Sequence, residues 1–180
     1  DVGGSGIKGA VVDTDSGEFL GERHRIPTPK PATPEAVSRT IAEIVDHFSW
    51  SGALGVGMPS VVQDGVVKSA ANIDSAWIGV NAERAISELT HCETYVVNDA
   101  DAAGVAEMCF GAGRDVRGVT MMLTLATGIG SALFSDGHLV PNTELGHLVL
   151  NGIEAEHYAS DAVRKQLGLD WATWAYRLNE

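Results

Sequence analysis

Two glycine runs and two polar pairs in this sequence could hold an anion or move a proton. Gly4-Ser5-Gly6-Ile7-Lys8-Gly9 matches the G-x-G-x-x-G spacing of dinucleotide-binding loops, and Ser5-Gly6-Ile7-Lys8 the S-x-x-K spacing of a serine nucleophile. Both readings need the run to open a helix, because the pyrophosphate or the nucleophile belongs at a helix N-terminus. Ala10-Val11-Val12 continues as strand instead, so both fail on context. What remains is a glycine loop between two strands, with Asp1 at its entry and Lys8 at its exit. Lacking Cβ atoms, such a loop lets backbone N–H groups close on phosphate oxygens, although a plain hairpin turn uses the same residues. Thr127-Gly128-Ile129-Gly130 repeats the arrangement. Two such loops facing one cleft would grip a phosphate chain from both sides.

Asn98-Asp99 falls where a strand stops and a helix begins, the place where open α/β sheets put ligand groups. An ordinary N-cap uses the same pair. Asp101 reads as first-turn charge rather than a second catalytic acid. Glu144-Leu145-Gly146-His147 sets an acid and an imidazole three apart between apolar residues, with no cysteine nearby to argue for a metal. His91, Cys92 and Cys109 read as structural, and Trp77, Trp171 and Trp174 as packing.

The elements that must position these groups follow from periodicity. Residues 7–14 form a strand, Asp15-Ser16-Gly17-Glu18 a turn, and residues 19–26 the antiparallel return. The proline-rich residues 27–31 make a stiff connector. Thr33-Pro34-Glu35 then starts a helix whose apolar stripe is Val37, Ile41, Ile44, Val45 and Phe48. A strand at 53–58, a hairpin around Asp64-Gly65, a helix at 81–90, a strand at 94–97 and a helix at 100–110 follow. Gly111-Ala112-Gly113 is the expected boundary between an α/β lobe of residues 1–113 and a partial second lobe of residues 114–180. The second lobe opens with a strand at 119–126, the second glycine loop, a return strand at 131–134 and an Asp136-Gly137 turn; residues 151–180 read as helical. The β-loop-β pattern thus occurs twice, an internal echo that argues for two related lobes. The absence of an initial Met and the helical pattern still running at Glu180 give the expectation of a piece of a longer protein.

The chain has 180 residues, 44% of them hydrophobic and 20% charged, which excludes disordered, collagenous and coiled-coil classes. A formal net charge of −12 argues against a broad nucleic-acid surface. No apolar run approaches the roughly 18–20 residues that span a bilayer, so no membrane association is expected. Two cysteines are too few for a disulfide scaffold, and a reducing cytoplasm is the simplest setting.

Taken together, five motifs resemble the ROK family of repressors, open reading frames and kinases. They are Asp1-Val2-Gly3-Gly4-Ser5-Gly6-Ile7-Lys8-Gly9-Ala10, Ala71-Asn72-Ile73-Asp74-Ser75-Ala76-Trp77-Ile78-Gly79 and Asn98-Asp99-Ala100-Asp101-Ala102-Ala103-Gly104. Thr127-Gly128-Ile129-Gly130-Ser131-Ala132-Leu133-Phe134 and Pro141-Asn142-Thr143-Glu144-Leu145-Gly146-His147 complete the set. Within that family the chain is most similar to the branch that phosphorylates glucose from polyphosphate. The resemblance implies an α/β, actin-like and ribonuclease-H-like sugar kinase fold of two lobes, the second truncated here. It implies phosphoryl transfer from inorganic polyphosphate, with ATP as an alternative donor and Mg²⁺ as helper, to the 6-hydroxyl of glucose. Asp99 is then the general base. Asn98, Asp99, Glu144, His147 and Glu156 bind the sugar, together with Asn72. Asp1, Gly3, Gly4, Ser5, Gly6, Lys8, Thr127, Gly128 and Gly130 bind phosphate, and Asp1 approaches the Mg²⁺ indirectly. The resemblance also leaves room for a homodimer.

Three departures from the family pattern qualify this. The zinc motif expected after Glu144-Leu145-Gly146-His147 is missing, since residues 148–176 contain no cysteine, so no zinc is expected. Ala126 stands where a glycine usually precedes the second loop, and Ser60 replaces a usual glycine after Gly57-Met58-Pro59. Because polyphosphate is a polyanion and the chain is acidic, a local basic track of Lys8, Arg114 and Arg117 is expected. An ATP-dependent glucokinase of the same family and a sugar-sensing repressor domain without chemistry are the alternatives.

Overall fold

The computed structural model describes residues 1–71 and 73–180. Strand β1 (Ile7–Gly9) pairs antiparallel with β2 (His24–Ile26). The hairpin beyond them is looser than its sequence pattern: past Gly9 the chains touch again at a single bridge, Val12 with Phe19. Between Gly9↔His24 and Val12↔Phe19 the return chain carries two more residues than the outgoing one, a bulge that ends regular pairing.

Helix α1 (Pro34–His47) begins where expected, with the Thr33 hydroxyl accepting the Ala36 N–H at 3.3 Å and Pro34 in the first turn. Its stripe of Val37, Ile41, Ile44 and Val45 is buried. Strand β3 (Leu54–Met58) follows, then the short hairpin β4 (Val62–Gln63) and β5 (Val66–Val67), and helix α2 (Ala82–Thr90), capped by the Asn81 carboxamide oxygen on the Arg84 N–H at 2.8 Å. Strand β6 (Thr94–Asn98) runs parallel to β3 in a register that sets Met58 beside Asn98. Parallel neighbours need such a long crossover, and their C-terminal ends lie together at one edge. One apolar core joins Val2, Ile7, the α1 stripe, Val56, Met58, Ile86 and Val96 around the fully buried Trp77, whose indole N–H donates to the Ala32 carbonyl at 3.0 Å.

Helix α3 (Asp99–Phe110) starts directly at the end of β6. It packs on the three-stranded antiparallel sheet of β7 (Val119–Leu125), β8 (Ile129–Ser135) and β9 (His138–Val140). Gly104 makes that approach work: a Cβ on it would stand 2.5 Å from the Ala132 Cβ and 2.9 Å from the Phe134 ring. A 3-10 turn at Leu145–His147 follows.

The last thirty residues are not helical throughout. Strands β10 (Val149–Leu150) and β11 (Ile153–Glu154) form a hairpin about Asn151 and Gly152, which take φ of 52° and 83°. Positive φ at both central positions is the type I′ turn that Asn-Gly favours. Helices α4 (Ala155–Ala159), α5 (Asp161–Gln166) and α6 (Trp171–Asn179) complete the chain. Trp171, expected to pack, is exposed and lies under the Arg164 guanidinium, 4.2 Å from its ring centroid. No described helix is long and apolar enough to cross a membrane.

Candidate active site

The site forms at the C-terminal ends of β3 and β6. Asn98 ends β6 and caps α3: its side-chain oxygen accepts the Ala100 and Asp101 N–H groups at 2.9 and 3.0 Å. Its amide nitrogen donates to the Ser60 carbonyl at 3.2 Å and to Glu144 Oε1 at 2.8 Å. Asn98 is therefore more than a cap, because it fixes the acid of a distant loop. Asp99, next in the chain, has Oδ1 on the Ala100 N–H at 2.8 Å. Burial pushes its carboxyl above the usual aspartate range, against the pull of that N–H.

Both glycine loops converge on this helix start. On one side the Val2 N–H donates to the Gly57 carbonyl at 2.9 Å, and a Cβ on Gly57 would lie 3.4 Å from the Asp99 Cα. On the other, a Cβ on Gly130 would lie 2.9 Å from the Ala100 Cβ. In the first loop the Gly3 N–H closes on the Gly6 carbonyl at 3.1 Å, with Gly4 and Ser5 exposed at the tip. Lys8 Nζ lies 3.5 Å from the Asp1 carboxylate.

Arg25, which sequence reasoning missed, stands opposite Lys8 across the β1–β2 ribbon and donates to the Ser5 carbonyl at 2.6 Å. Its guanidinium occupies the space a Cβ on Gly6 would need. The Lys8–Arg25 pair is the basic feature beside the loops. Arg114 and Arg117 are not part of it. Arg117 precedes β7, whose seven extended residues put it about 20 Å from the loop at the other end. Arg114 follows the C-terminal end of α3, away from Asp99.

In the second loop, Thr127 is exposed and the Ile129 N–H donates to Glu156 Oε2 at 3.4 Å, with Gly128 against the same carboxylate. Ala126 is exposed; its N–H donates to the Gly128 carbonyl and its carbonyl accepts the Ala162 N–H, both at 3.0 Å.

The polar wall opposite Asn98 comes from the turn before β10 and the start of α4. Glu144, at a φ of 41°, is half-buried, and burial raises its carboxyl while the His147 charge lowers it. His147 Nε2 lies 3.7 Å from Glu144 Oε2, and its Nδ1 lies 3.1 Å from Glu154 Oε2 and 3.9 Å from Glu156 Oε1. The Glu154 hydrogen bond leads, with the nearby carboxylates, in raising the imidazole above its usual range. Asn98, Asp99, Glu144, His147 and Glu156 are thus brought together; Asn72 lies outside the described residues. One ligand atom each from His147, Glu154 and Glu156 falls within 4.8 Å of the others, a grouping with no cysteine among them.

Asp101 lies in the first turn of α3, as expected, but it is not a free surface charge. It is 2% exposed, its Oδ2 accepts the Asn142 N–H at 2.8 Å, and burial raises its carboxyl. Asn142 in turn exchanges hydrogen bonds with the Val62 backbone at 3.0 and 2.9 Å, so this acid ties the Glu144 loop to both α3 and the β4–β5 hairpin. Ser60 is buried, with its hydroxyl unpaired. Separately, a cavity of about 670 Å³ lies between β1, α1 and β3. Its lining is mostly apolar, Val11, Ile44, Val45 and Phe48 among it, with Asp1 and Lys8 at its border with the first glycine loop.

A parallel strand pair feeding a helix whose first residue is an acid open to solvent, with two glycine hairpins beside it, is the architecture of the actin-like sugar-kinase class. Residues 1–163 match the ROK family, and the chain belongs to it. It is 51% identical over 176 residues to the polyphosphate glucokinase of Mycobacterium tuberculosis (strain ATCC 25618 / H37Rv), covering 97% of this chain and 66% of that protein. The Mycobacterium leprae polyphosphate glucokinase is also 51% identical, with 97% and 54% covered. Among solved structures, the inorganic polyphosphate/ATP-glucomannokinase of Arthrobacter sp. strain KM superposes with a TM-score of 0.93 at 45% identity, covering 98% of this chain and 73% of that one. A ROK family glucokinase of Streptomyces griseus, solved with glucose and AMPPNP, gives a TM-score of 0.79 at 28% identity, covering 92% and 57%.

Proposed function

We propose that this chain carries the sugar site and phosphate loops of a glucokinase that transfers a phosphoryl group from inorganic polyphosphate, or from ATP, to the 6-hydroxyl of glucose. The observation that carries the reading is Asp99: a solvent-accessible carboxylate at a helix start, between two glycine loops and next to Asn98, which is itself bonded to Glu144. The 51% identical relatives are polyphosphate glucokinases, whereas the 34% identical Streptomyces coelicolor relative is a glucokinase, which favours polyphosphate over ATP alone.

In the reaction, Asp99 takes the proton of the 6-hydroxyl as that oxygen attacks the terminal phosphorus, and the departing phosphate chain keeps the bonding electrons. One carboxylate within hydrogen-bond reach is worth roughly 10²–10⁴ in rate. Its raised pKa suits a base that must hold the proton it receives. Asn98, Glu144, His147 and Glu156 supply the mixed donors and acceptors that sugar hydroxyls require. The tip of the first loop presents backbone N–H groups to the donor, with the Lys8 and Arg25 charges behind it. The Asp1 carboxylate, exposed and paired to a lysine that an incoming phosphate would attract, offers the hard oxygen that Mg²⁺ prefers. A bound Mg²⁺ would neutralise charge on the donor phosphates. Residues 1–113 and 114–180 are the two lobes in this reading, and no zinc takes part.

The test is a glucose phosphorylation assay on the complete polypeptide with long-chain polyphosphate in nucleotide-free buffer. Glucose 6-phosphate is the expected product; turnover with ATP but none with polyphosphate would reassign the donor. Binding of glucose without turnover by either donor would leave a sensor.

A further inference from the structure

The β10–β11 hairpin delivers a residue to the sugar site that none of the motifs contained. Val149 pairs with Glu154, and the Ala155 N–H donates to the Leu148 carbonyl at 2.9 Å. That contact sets the start of α4 beside the 3-10 turn at Leu145–His147, and brings both Glu154 and Glu156 to the His147 ring. The imidazole is therefore flanked by two carboxylates on one edge and by Glu144 on the other.

Those contacts are unequal. Glu154 Oε2 meets Nδ1 at 3.1 Å, a hydrogen bond, while the Glu144 and Glu156 oxygens stand at 3.7 and 3.9 Å. An imidazole is oriented by the partner that one nitrogen holds, and the other nitrogen is then presented to whatever lies across the ring. His157 is the other titratable group here, with Nδ1 3.8 Å from Glu154 Oε2, too far to compete for that oxygen.

We propose that Glu154 is a positioning residue: its carboxylate holds the Nδ1 edge of His147 and turns Nε2 toward Glu144 and the sugar. This rests on the sugar-site reading above. A ring that is 40% exposed would otherwise rotate among three acids, and the nitrogen offered to a sugar hydroxyl would not be fixed. Glu156 is engaged with the Ile129 N–H of the second loop, which leaves the orienting role to Glu154.

A double-mutant cycle tests this in the complete polypeptide. Glu154→Ala should weaken glucose binding about tenfold by calorimetry, the scale of one lost hydrogen bond between charged partners, with kcat changed much less. Glu154→Gln, whose amide oxygen still accepts the Nδ1 proton, should recover most of the affinity. In a His147→Ala background, Glu154→Ala should cost nothing further. The ¹⁵N resonances of the His147 ring should move in Glu154→Ala without added sugar. Unchanged ring resonances, an equal loss in both backgrounds, or undiminished glucose affinity in Glu154→Ala would each overturn the proposal. Glucose phosphorylation by the unsubstituted protein is the separate control. Its failure counts against the proposed function, whereas an uncoupled cycle in an active enzyme counts against Glu154 alone.

Discussion

In the proposed reaction, Asp99 and its neighbours set the chemistry residue by residue. Burial raises the carboxyl groups of both Asp99 and Glu144, so each loses its proton at a higher pH than a free side chain would. The base form of Asp99 disappears as pH falls through that raised value. The acid limb of kcat/KM for glucose should therefore lie above the ordinary carboxylate pKa of about 3.9, as a pH–rate profile would show. A limb at or below that value would mean that no carboxylate with a raised pKa controls the rate. In the proposed reaction Lys8 and Arg25 stand on the donor side, beside the first loop. Replacing both with alanine should raise the KM for polyphosphate by about tenfold or more while leaving glucose affinity intact, because the pair stands beside the first loop, where Arg25 holds the Ser5 carbonyl. Double-substrate kinetics would show the split; a shift in the glucose KM instead would move these charges to the sugar side.

The elements explain which of these residues could be read from sequence. Asn98-Asp99 was legible because a strand ends and a helix starts in adjacent residues, and the structure has β6 running straight into α3. The glycine loops were legible because the residues after each one continue as strand. Arg25 was not. Pairing counted outward from the Val12↔Phe19 bridge would set Lys8 opposite Arg23, and only the bulge in the return chain brings Arg25 there. Glu154 was hidden differently. The helical pattern of residues 155–180 was extended back over Asn151-Gly152, although that dipeptide is itself a strong hairpin signal. Asp101 was legible as a first-turn acid but its burial was not, because nothing local announces Asn142, which meets it from far along the chain. Packing between elements gives its own prediction. Gly104→Ala would drive a Cβ into Ala132 and Phe134, and should cost about 1–3 kcal/mol in a denaturant titration by prising α3 from β8. An unchanged midpoint would mean that this helix–sheet contact is looser than the structure shows.

Across the whole molecule, charge and substrate pull in opposite directions. The chain carries a formal net charge of −12, yet the proposed donor is a polyanion. Long-range attraction cannot draw that donor in, so its recognition must be local: backbone N–H groups of the loop tips, Lys8, Arg25 and a divalent cation. The chain spans 66% of the length of its Mycobacterium tuberculosis relative, and within that span it holds both glycine loops, the proposed base and the acids proposed to face the sugar. That arrangement stands or falls with the carboxylate at the start of α3. The most direct measurement is Asp99→Asn in the complete polypeptide, with glucose binding followed by calorimetry and phosphorylation by turnover. Glucose affinity should stay within about threefold while turnover falls by roughly 10²–10⁴. Turnover that survives the substitution would contradict the assignment of Asp99 as the base.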